Sequence, residues 1–317
     1  MKIIMLESLG IKEESLEKLS TALTAQGHEF TAYERSEDTS VLIKRVENAD
    51  VLIVSNLPLK GEVIRSAAAL KMISVAFTGI DHIDSKACEE KGIVVCNAAG
   101  YSTDSVAELT FCFILDLLRK VIPCDAAARN GGTKAGLIGN ELAGKTVGIV
   151  GTGAIGMRVA EIANVFGCKL LGYSRTEIQM AGPLGLKYVS LEELMSSSDI
   201  ITLHTPLTEA TRHLINKERI SLMKPTGILI NTARGPVVDS EALAEALNNG
   251  RIAGAGIDVY ETEPPLPTDH PLLNAKNVVA TPHIAFATQE AMEKRAVITF
   301  DNISCWMEGR PQNVMIG

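Results

Sequence analysis

Arg234, Glu263 and His283 stand just beyond three successive runs, Gly227–Asn231, Gly254–Asp258 and Val278–Thr281, each of which reads as a strand ended by polar residues. Ligands of open parallel sheets bind outside the carboxyl ends of the strands, so the three side chains are expected on one rim. A guanidinium is a planar, permanently charged fork that matches a carboxylate. An imidazole titrates near neutrality and can hand a proton to an oxygen on which charge is growing, or take it back in the reverse direction. A carboxylate on the other ring nitrogen holds one tautomer and favours the protonated ring. Such a set could act together: Arg234 for an anionic carboxylate, His283 for a proton on an oxygen, Glu263 to orient His283. Each residue type alone is more often a solvated surface side chain; their joint arrival at adjacent strand ends favours the functional reading.

The second feature is Gly151-Thr152-Gly153-Ala154-Ile155-Gly156, set between the apolar run Val147–Val150 and a helical segment from Met157 to Ala163. A glycine turn between strand and helix reads as a dinucleotide site. The first glycine permits the tight turn, the second lets backbone approach a pyrophosphate, the third lets helix pack on strand, and the helix N-terminus offers N–H groups to the phosphates. About 20 positions later an acid normally binds the adenosine ribose, whereas an arginine accommodates a 2′-phosphate. The chain has Ser174-Arg175-Thr176 there, which leans to NADP(H). An arginine stacked on the adenine of NAD is the alternative.

These residues need strands to hold them, and short β-branched runs alternate with helical segments along the whole chain, the signature of βαβ units on parallel sheets. Strands are expected at Ile3–Leu6, His28–Tyr33, Val51–Val54, Lys71–Val75, Ile93–Cys96, Lys169–Tyr173 and Asp199–His204 as well as at the site. Helices are expected at Ser15–Ala25, Thr39–Val46, Ser85–Lys91, Asp104–Arg119 and Thr288–Met307. The fold class is therefore α/β, in two doubly wound units with a boundary near residue 100. The length of 317 residues fits two domains, and 46% hydrophobic residues suffice for two cores. A net charge of −8 without a basic stripe excludes nucleic acid as partner. The N-terminus lacks a secretory pattern and no run is long enough to span a bilayer, so the expected compartment is the cytoplasm. Six cysteines at 88, 96, 112, 124, 168 and 305 show neither CxxC pairing nor metal-ligand spacing, so no disulfide and no metal is expected. His28, His82, His213 and His270 lack catalytic company in the sequence and read as structural or solvent-facing. Trp306 reads as packing.

Asn231-Thr232-Ala233-Arg234-Gly235, Asp258 through Pro264, Pro282-His283-Ile284-Ala285 and Gly151–Gly156 together resemble the motifs of the D-2-hydroxyacid dehydrogenase family. The likeness extends to Ala76–Asp81, Asn97–Gly100, Val106–Glu108 and His204-Thr205-Pro206-Leu207, and so covers essentially the whole chain. The resemblance implies a flavodoxin-like substrate domain from residues 1–99 plus 287–317 and a Rossmann domain from 100–286. It implies that backbone N–H groups of Thr78 and Gly79 help hold the substrate carboxylate and that Asp258 bonds the nicotinamide amide. It also assigns Thr205, Pro206, Thr211, Thr232 and Ala233 to the cofactor. His204 either lines the nicotinamide pocket or is a structural histidine. The implied reaction is reduction of a small 2-oxo acid, hydroxypyruvate or glyoxylate first, with 3-phosphoglycerate or D-lactate chemistry as the alternative. His283-Ile284-Ala285-Phe286 resembles the His-Ile-Ala-Trp of glycerate dehydrogenases with phenyl in place of indole. The helix from Asp104 to Arg119 and the Ala/Gly-rich stretch after it resemble the region through which relatives form homodimers. A nucleotide-sensing protein of the corepressor type is the alternative of another class, and it calls for long flexible tails.

Overall fold

Aliphatic runs with no polar alternation, such as Val51-Leu52-Ile53-Val54, are buried at every position, as strands covered on both faces must be. A computed structural model describes residues 1–317, the side chain of Met180 excepted. The chain forms two compact units, Met1–Ser102 with Ala287–Gly317, and Thr103–Phe286. The first unit begins β1 (Lys2–Met5), α1 (Glu13–Thr24), β2 (Glu29–Ala32), α2 (Thr39–Val46) and β3 (Val51–Val54). It continues α3 (Gly61–Ser66), β4 (Met72–Val75), α4 (Ser85–Lys91) and β5 (Val94–Asn97). The second unit opens with α5 (Thr103–Arg119), α6 (Val121–Arg129), β6 (Thr146–Val150), α7 (Ala154–Val165), β7 (Lys169–Tyr173) and β8 (Leu186–Tyr188). It goes on with α8 (Leu191–Ser197), β9 (Ile200–Leu203), α9 (Lys217–Leu222), β10 (Ile228–Asn231), α10 (Ser240–Asn248), β11 (Gly254–Ile257) and β12 (Val278–Ala280). The chain then returns to the first unit with α11 (Gln289–Met307) and β13 (Val314–Ile316).

The sheet of the first unit has the order β2-β1-β3-β4-β5-β13, parallel except for β13, which pairs antiparallel with β5. Its first five strands follow the flavodoxin-like order. Its core joins Ile3, Met5, Val51, Ile53 and Met72 of the sheet to Phe300 and Ile303 of α11.

The sheet of the second unit is parallel throughout, in the order β8-β7-β6-β9-β10-β11-β12. That is the Rossmann order with one further strand, and strand order reverses between β6 and β9. One face packs Ile149, Ile200 and Ile230 against Phe113 of α5 and Val159 of α7. The other packs Leu203 and Leu229 against Leu194 of α8 and Leu243 of α10. The carboxyl ends of β6, β7, β9, β10, β11 and β12 therefore share one edge, which carries the Gly-rich turn and all three candidate catalytic side chains.

Candidate active site

The Gly-rich turn is shaped by contacts that a side chain would break. Gly151 has φ +93, and a Cβ there would lie 2.5 Å from the His204 carbonyl oxygen; a Cβ on Gly156 would lie 2.0 Å from the Gly151 oxygen. A Cβ on Gly153 would meet nothing within 4 Å. Gly153 is also the N-cap of α7, and no side chain caps that helix. An open approach to the uncapped, positive end of a helix whose first residues are Ala154 and Ile155 fits a pyrophosphate. Thr152 is buried with its hydroxyl 2.8 Å from Tyr188 Oη, so it faces the turn with backbone only. Ser174, Arg175 and Thr176 follow β7, the neighbour of β6; Ser174 is half-buried and the other two are exposed.

His204 follows β9 across the strand-order reversal. Its ring is buried and 2.9 Å from Thr202 Oγ1, and burial pushes its pKa down to about 3, so it stays neutral. Thr205 is half-buried and Pro206 exposed. The Thr211 hydroxyl donates to the Pro206 carbonyl at 2.7 Å and closes the loop 206–211 on itself.

The turn after β10 is built by Asn231. Its buried Oδ1 accepts from Ala233 N at 3.1 Å and its Nδ2 donates to the Arg234 carbonyl at 3.0 Å, curling the chain so that Arg234 leaves the strand end half-buried. The buried Thr232 hydroxyl lies 3.1 Å from that of Thr110 on α5, and Arg234 Nη1 donates to the Ala233 carbonyl at 2.8 Å. A Cβ on Gly235 would sit 1.9 Å from the Tyr260 carbonyl carbon, so only glycine lets this turn press on the loop after β11.

Asp258 directly follows β11 and is fully buried. Its Oδ1 accepts from Ile284 N at 2.8 Å and from the Thr281 hydroxyl, and its Oδ2 accepts from Ala285 N at 2.9 Å. Its backbone carbonyl accepts from His283 N at 2.9 Å. Asp258 thus holds both sides of the loop that carries His283, whose own backbone is left-handed at φ 57. The family resemblance assigns Asp258 to the cofactor amide and does not reveal this clamp. The only sequence signal for it is an acid in register with the strand end that precedes Thr281, since Ile257 pairs with Ala280.

His283 and Glu263 meet. Nδ1 lies 2.8 Å from Oε2 and 3.0 Å from Oε1, with the His283 side chain 10% exposed and that of Glu263 56% exposed. A carboxylate only accepts, so Nδ1 carries the proton and Nε2 is the ring atom that can exchange one. Phe286 packs edge-on against the imidazole, ring centroids 5.2 Å apart. Thr78 and Gly79 lie in the first unit, on the loop after β4. His270, expected to be structural or solvent-facing, has an acidic partner within its own loop. Its Nε2 lies 3.0 Å from Glu261 Oε2 and its ring meets Tyr260 edge-on at 5.3 Å, a pairing made by a loop that folds back and so invisible in residue spacing. Its Nδ1 accepts from Leu272 N at 3.3 Å, a cap on a short turn.

Among the described residues all six cysteines are free, with burial pushing the Cys88 and Cys96 thiols up to about 11. Among the described residues no cluster of His, Cys, Asp or Glu could hold a metal ion, and no helix is long and apolar enough to cross a membrane.

Residues 111–285 match the family profile described as D-isomer specific 2-hydroxyacid dehydrogenase, NAD binding domain. The chain is similar to a glyoxylate reductase of Thermofilum pendens, 40% identical over 308 residues that cover 94% of this chain and 90% of that one. It is 39% identical over 295 residues to a hydroxypyruvate reductase of Thermotoga maritima, covering 92% and 95%. Among solved structures it resembles a D-lactate dehydrogenase of Aquifex aeolicus complexed with NAD and lactic acid, with TM-score 0.89, 32% identity, and coverage of 100% and 99%.

Proposed function

The chain belongs to the D-2-hydroxyacid dehydrogenase family and is an enzyme that transfers hydride between a nicotinamide cofactor and a 2-hydroxy or 2-oxo acid; from that premise we propose that it reduces glyoxylate or hydroxypyruvate, yielding glycolate or D-glycerate. The observation that carries this reading is the His283–Glu263 pair at 2.8 Å, made by the loops after β12 and β11 on the sheet edge where Arg234 follows β10. Similarity to reductases of both acids supports a small substrate. So does Phe286, a rigid ring fixed beside the imidazole that disfavours a bulky group at that position.

In this reading Arg234 pairs with the substrate carboxylate through its fork, and Thr78 and Gly79 add backbone N–H donors. Charge builds on the carbonyl oxygen during reduction, and His283 Nε2–H donates its proton there; Glu263 keeps Nδ1–H in place and offsets the charge of the imidazolium before it passes on its proton. The chemistry that a bound nicotinamide would supply is hydride transfer to or from the carbonyl carbon. We assign the cofactor to the Thr103–Phe286 unit, with Gly151–Gly156 at the pyrophosphate, Ser174, Arg175 and Thr176 at the adenosine ribose, and Thr205, Pro206, Thr211, Thr232, Ala233 and Asp258 toward the nicotinamide. Oxidation of NADPH and NADH, followed by absorbance with a panel of 2-oxo acids including pyruvate and phosphohydroxypyruvate, tests the whole. Turnover of none of them overturns the proposal; a preference for the larger or phosphorylated acids overturns the substrate.

NADP(H) is the proposed cofactor, because Ser174 and Arg175 present a hydroxyl and a cation where an acid would repel a 2′-phosphate. Ser174→Asp is then expected to raise the KM for NADPH by about tenfold or more and to leave that for NADH little changed, since it adds one close like charge. A wild-type enzyme that already prefers NADH sinks this assignment.

The Thr103–Phe286 unit exposes Val121, Ile122, Ile138 and Val165 by 54, 56, 78 and 87%, and Phe166, stacked on Phe111 of α5, by 40%. Apolar side chains so exposed around α5–α7 call for a cover, and a second copy of the chain in a homodimer is the proposed one. Sedimentation at micromolar concentration should give a dimer, and a monomer rules it out. The cytoplasm is the proposed compartment, where six unpaired thiols stay reduced.

A further inference from the structure

The Thr78 carbonyl and the Gly79 N–H belong to one planar peptide group, so whatever holds that carbonyl also aims that N–H. Asn97, 4% exposed at the end of β5, donates from Nδ2 to the Thr78 carbonyl at 2.6 Å while its Oδ1 accepts from Ala99 N at 3.3 Å. One partner only accepts and the other only donates, which fixes the orientation of the amide. Asn97 is in turn held by two further asparagines. Its backbone carbonyl accepts from Nδ2 of the fully buried Asn302 on α11 at 2.8 Å, and Asn302 Oδ1 accepts from Asn313 Nδ2 at 2.9 Å. The ring closes where Asn97 N donates to the Asn313 carbonyl at 3.0 Å.

The sheet needs only the backbone members of this ring. The Asn97 side chain reaches outside the sheet, to a loop whose residues Thr78 and Gly79 are exposed and half-buried. Among the described residues no hydrogen bond takes the N–H of either, so both are available to an incoming acceptor. We propose that Asn97 is a positioning residue for substrate: by holding the Thr78 carbonyl it sets the plane of the Thr78–Gly79 peptide, and through that bond it polarises the Gly79 N–H toward the carboxylate of the 2-oxo acid. The ring of Asn97, Asn302 and Asn313 makes the setting rigid by tying the loop to α11 and to the segment before β13. This rests on the reading of Thr78 and Gly79 as donors to the substrate carboxylate.

Asn97→Asp keeps the shape and the acceptor for Ala99 but replaces the donor facing Thr78 with a second acceptor, turning the peptide away. The KM for the 2-oxo acid is expected to rise about tenfold or more, with kcat falling less and the cofactor Kd, measured by nucleotide fluorescence, unmoved. Asn97→Ala, which removes the donor without adding charge, should show the same split with a smaller rise. A structural role alone would lower the melting temperature and leave that split absent. KM within about twofold of wild type in both variants, an equal loss of cofactor affinity, or failure of both variants to fold would each overturn the assignment. Wild-type enzyme that turns over no 2-oxo acid would instead take down the reading beneath it, so the two failures are told apart.

Discussion

Replacing His283 with alanine should lower kcat by about 10²–10⁴-fold in both directions, the range that general acid–base catalysis supplies, and leave the cofactor Kd near wild type. Nδ1 is committed to Glu263, so Nε2 is the ring atom that can exchange a proton, and alanine removes that atom along with the imidazole. The residue sits in a left-handed backbone at φ 57, which asparagine tolerates better than most, so His283→Asn is the companion variant that separates lost proton transfer from a distorted loop. Arg234→Ala provides the contrast: loss of the fork should raise KM and lower kcat together, because carboxylate pairing both binds and aligns the substrate. Steady-state kinetics with glyoxylate and hydroxypyruvate, beside cofactor titration, decide the matter. A His283→Ala enzyme with kcat within about tenfold of wild type removes His283 from the proton-transfer role.

The parts legible in the sequence were those whose cause is local. Val51–Val54 reads as a central strand because four apolar residues in a row can be satisfied only between two covering layers. Gly151–Gly156 reads as a turn because glycine alone adopts its positive φ and close contacts. Both sheets follow from this alternation, and their orders bear out the α/β expectation. What stayed hidden depends on partners far along the chain or on backbone atoms. β13 has three residues, two of them exposed, and gains its place only by pairing with β5. β8, equally short, is an edge strand with one buried residue. The type and place of Asp258 could be read from the sequence, but its hydrogen bonds could not: two of the three donors to its carboxylate are main-chain N–H groups, which every residue except proline carries. The asparagine ring is hidden for the same reason, since two of its three bonds end on backbone carbonyls.

Asp258→Ala is expected to be the most damaging single change to the catalytic loop. It leaves the N–H groups of Ile284 and Ala285 and the hydroxyl of Thr281 without their acceptor around a fully buried site, and each lost bond of this kind costs about 1–3 kcal/mol. The loop has two ways to respond: it unfolds locally to reach water, or it shifts so that other acceptors come within reach. Either response moves His283, whose N–H is itself bonded to the Asp258 backbone, and breaks the 2.8 Å contact with Glu263. A kcat loss comparable to that of His283→Ala should therefore appear although no proton-transferring atom has been deleted, together with a lower melting temperature. Asp258→Asn separates the two roles open to this residue. Its remaining oxygen can keep Thr281 and Ile284 while the amide confronts the Ala285 N–H, so the clamp is weakened on one side. If the carboxylate also receives the nicotinamide amide, the cofactor Kd should rise in step with the kcat loss; if its work is the loop alone, kcat should fall while the Kd stays put. A fully active, fully stable Asp258→Ala enzyme would show that the loop holds His283 in place without this carboxylate.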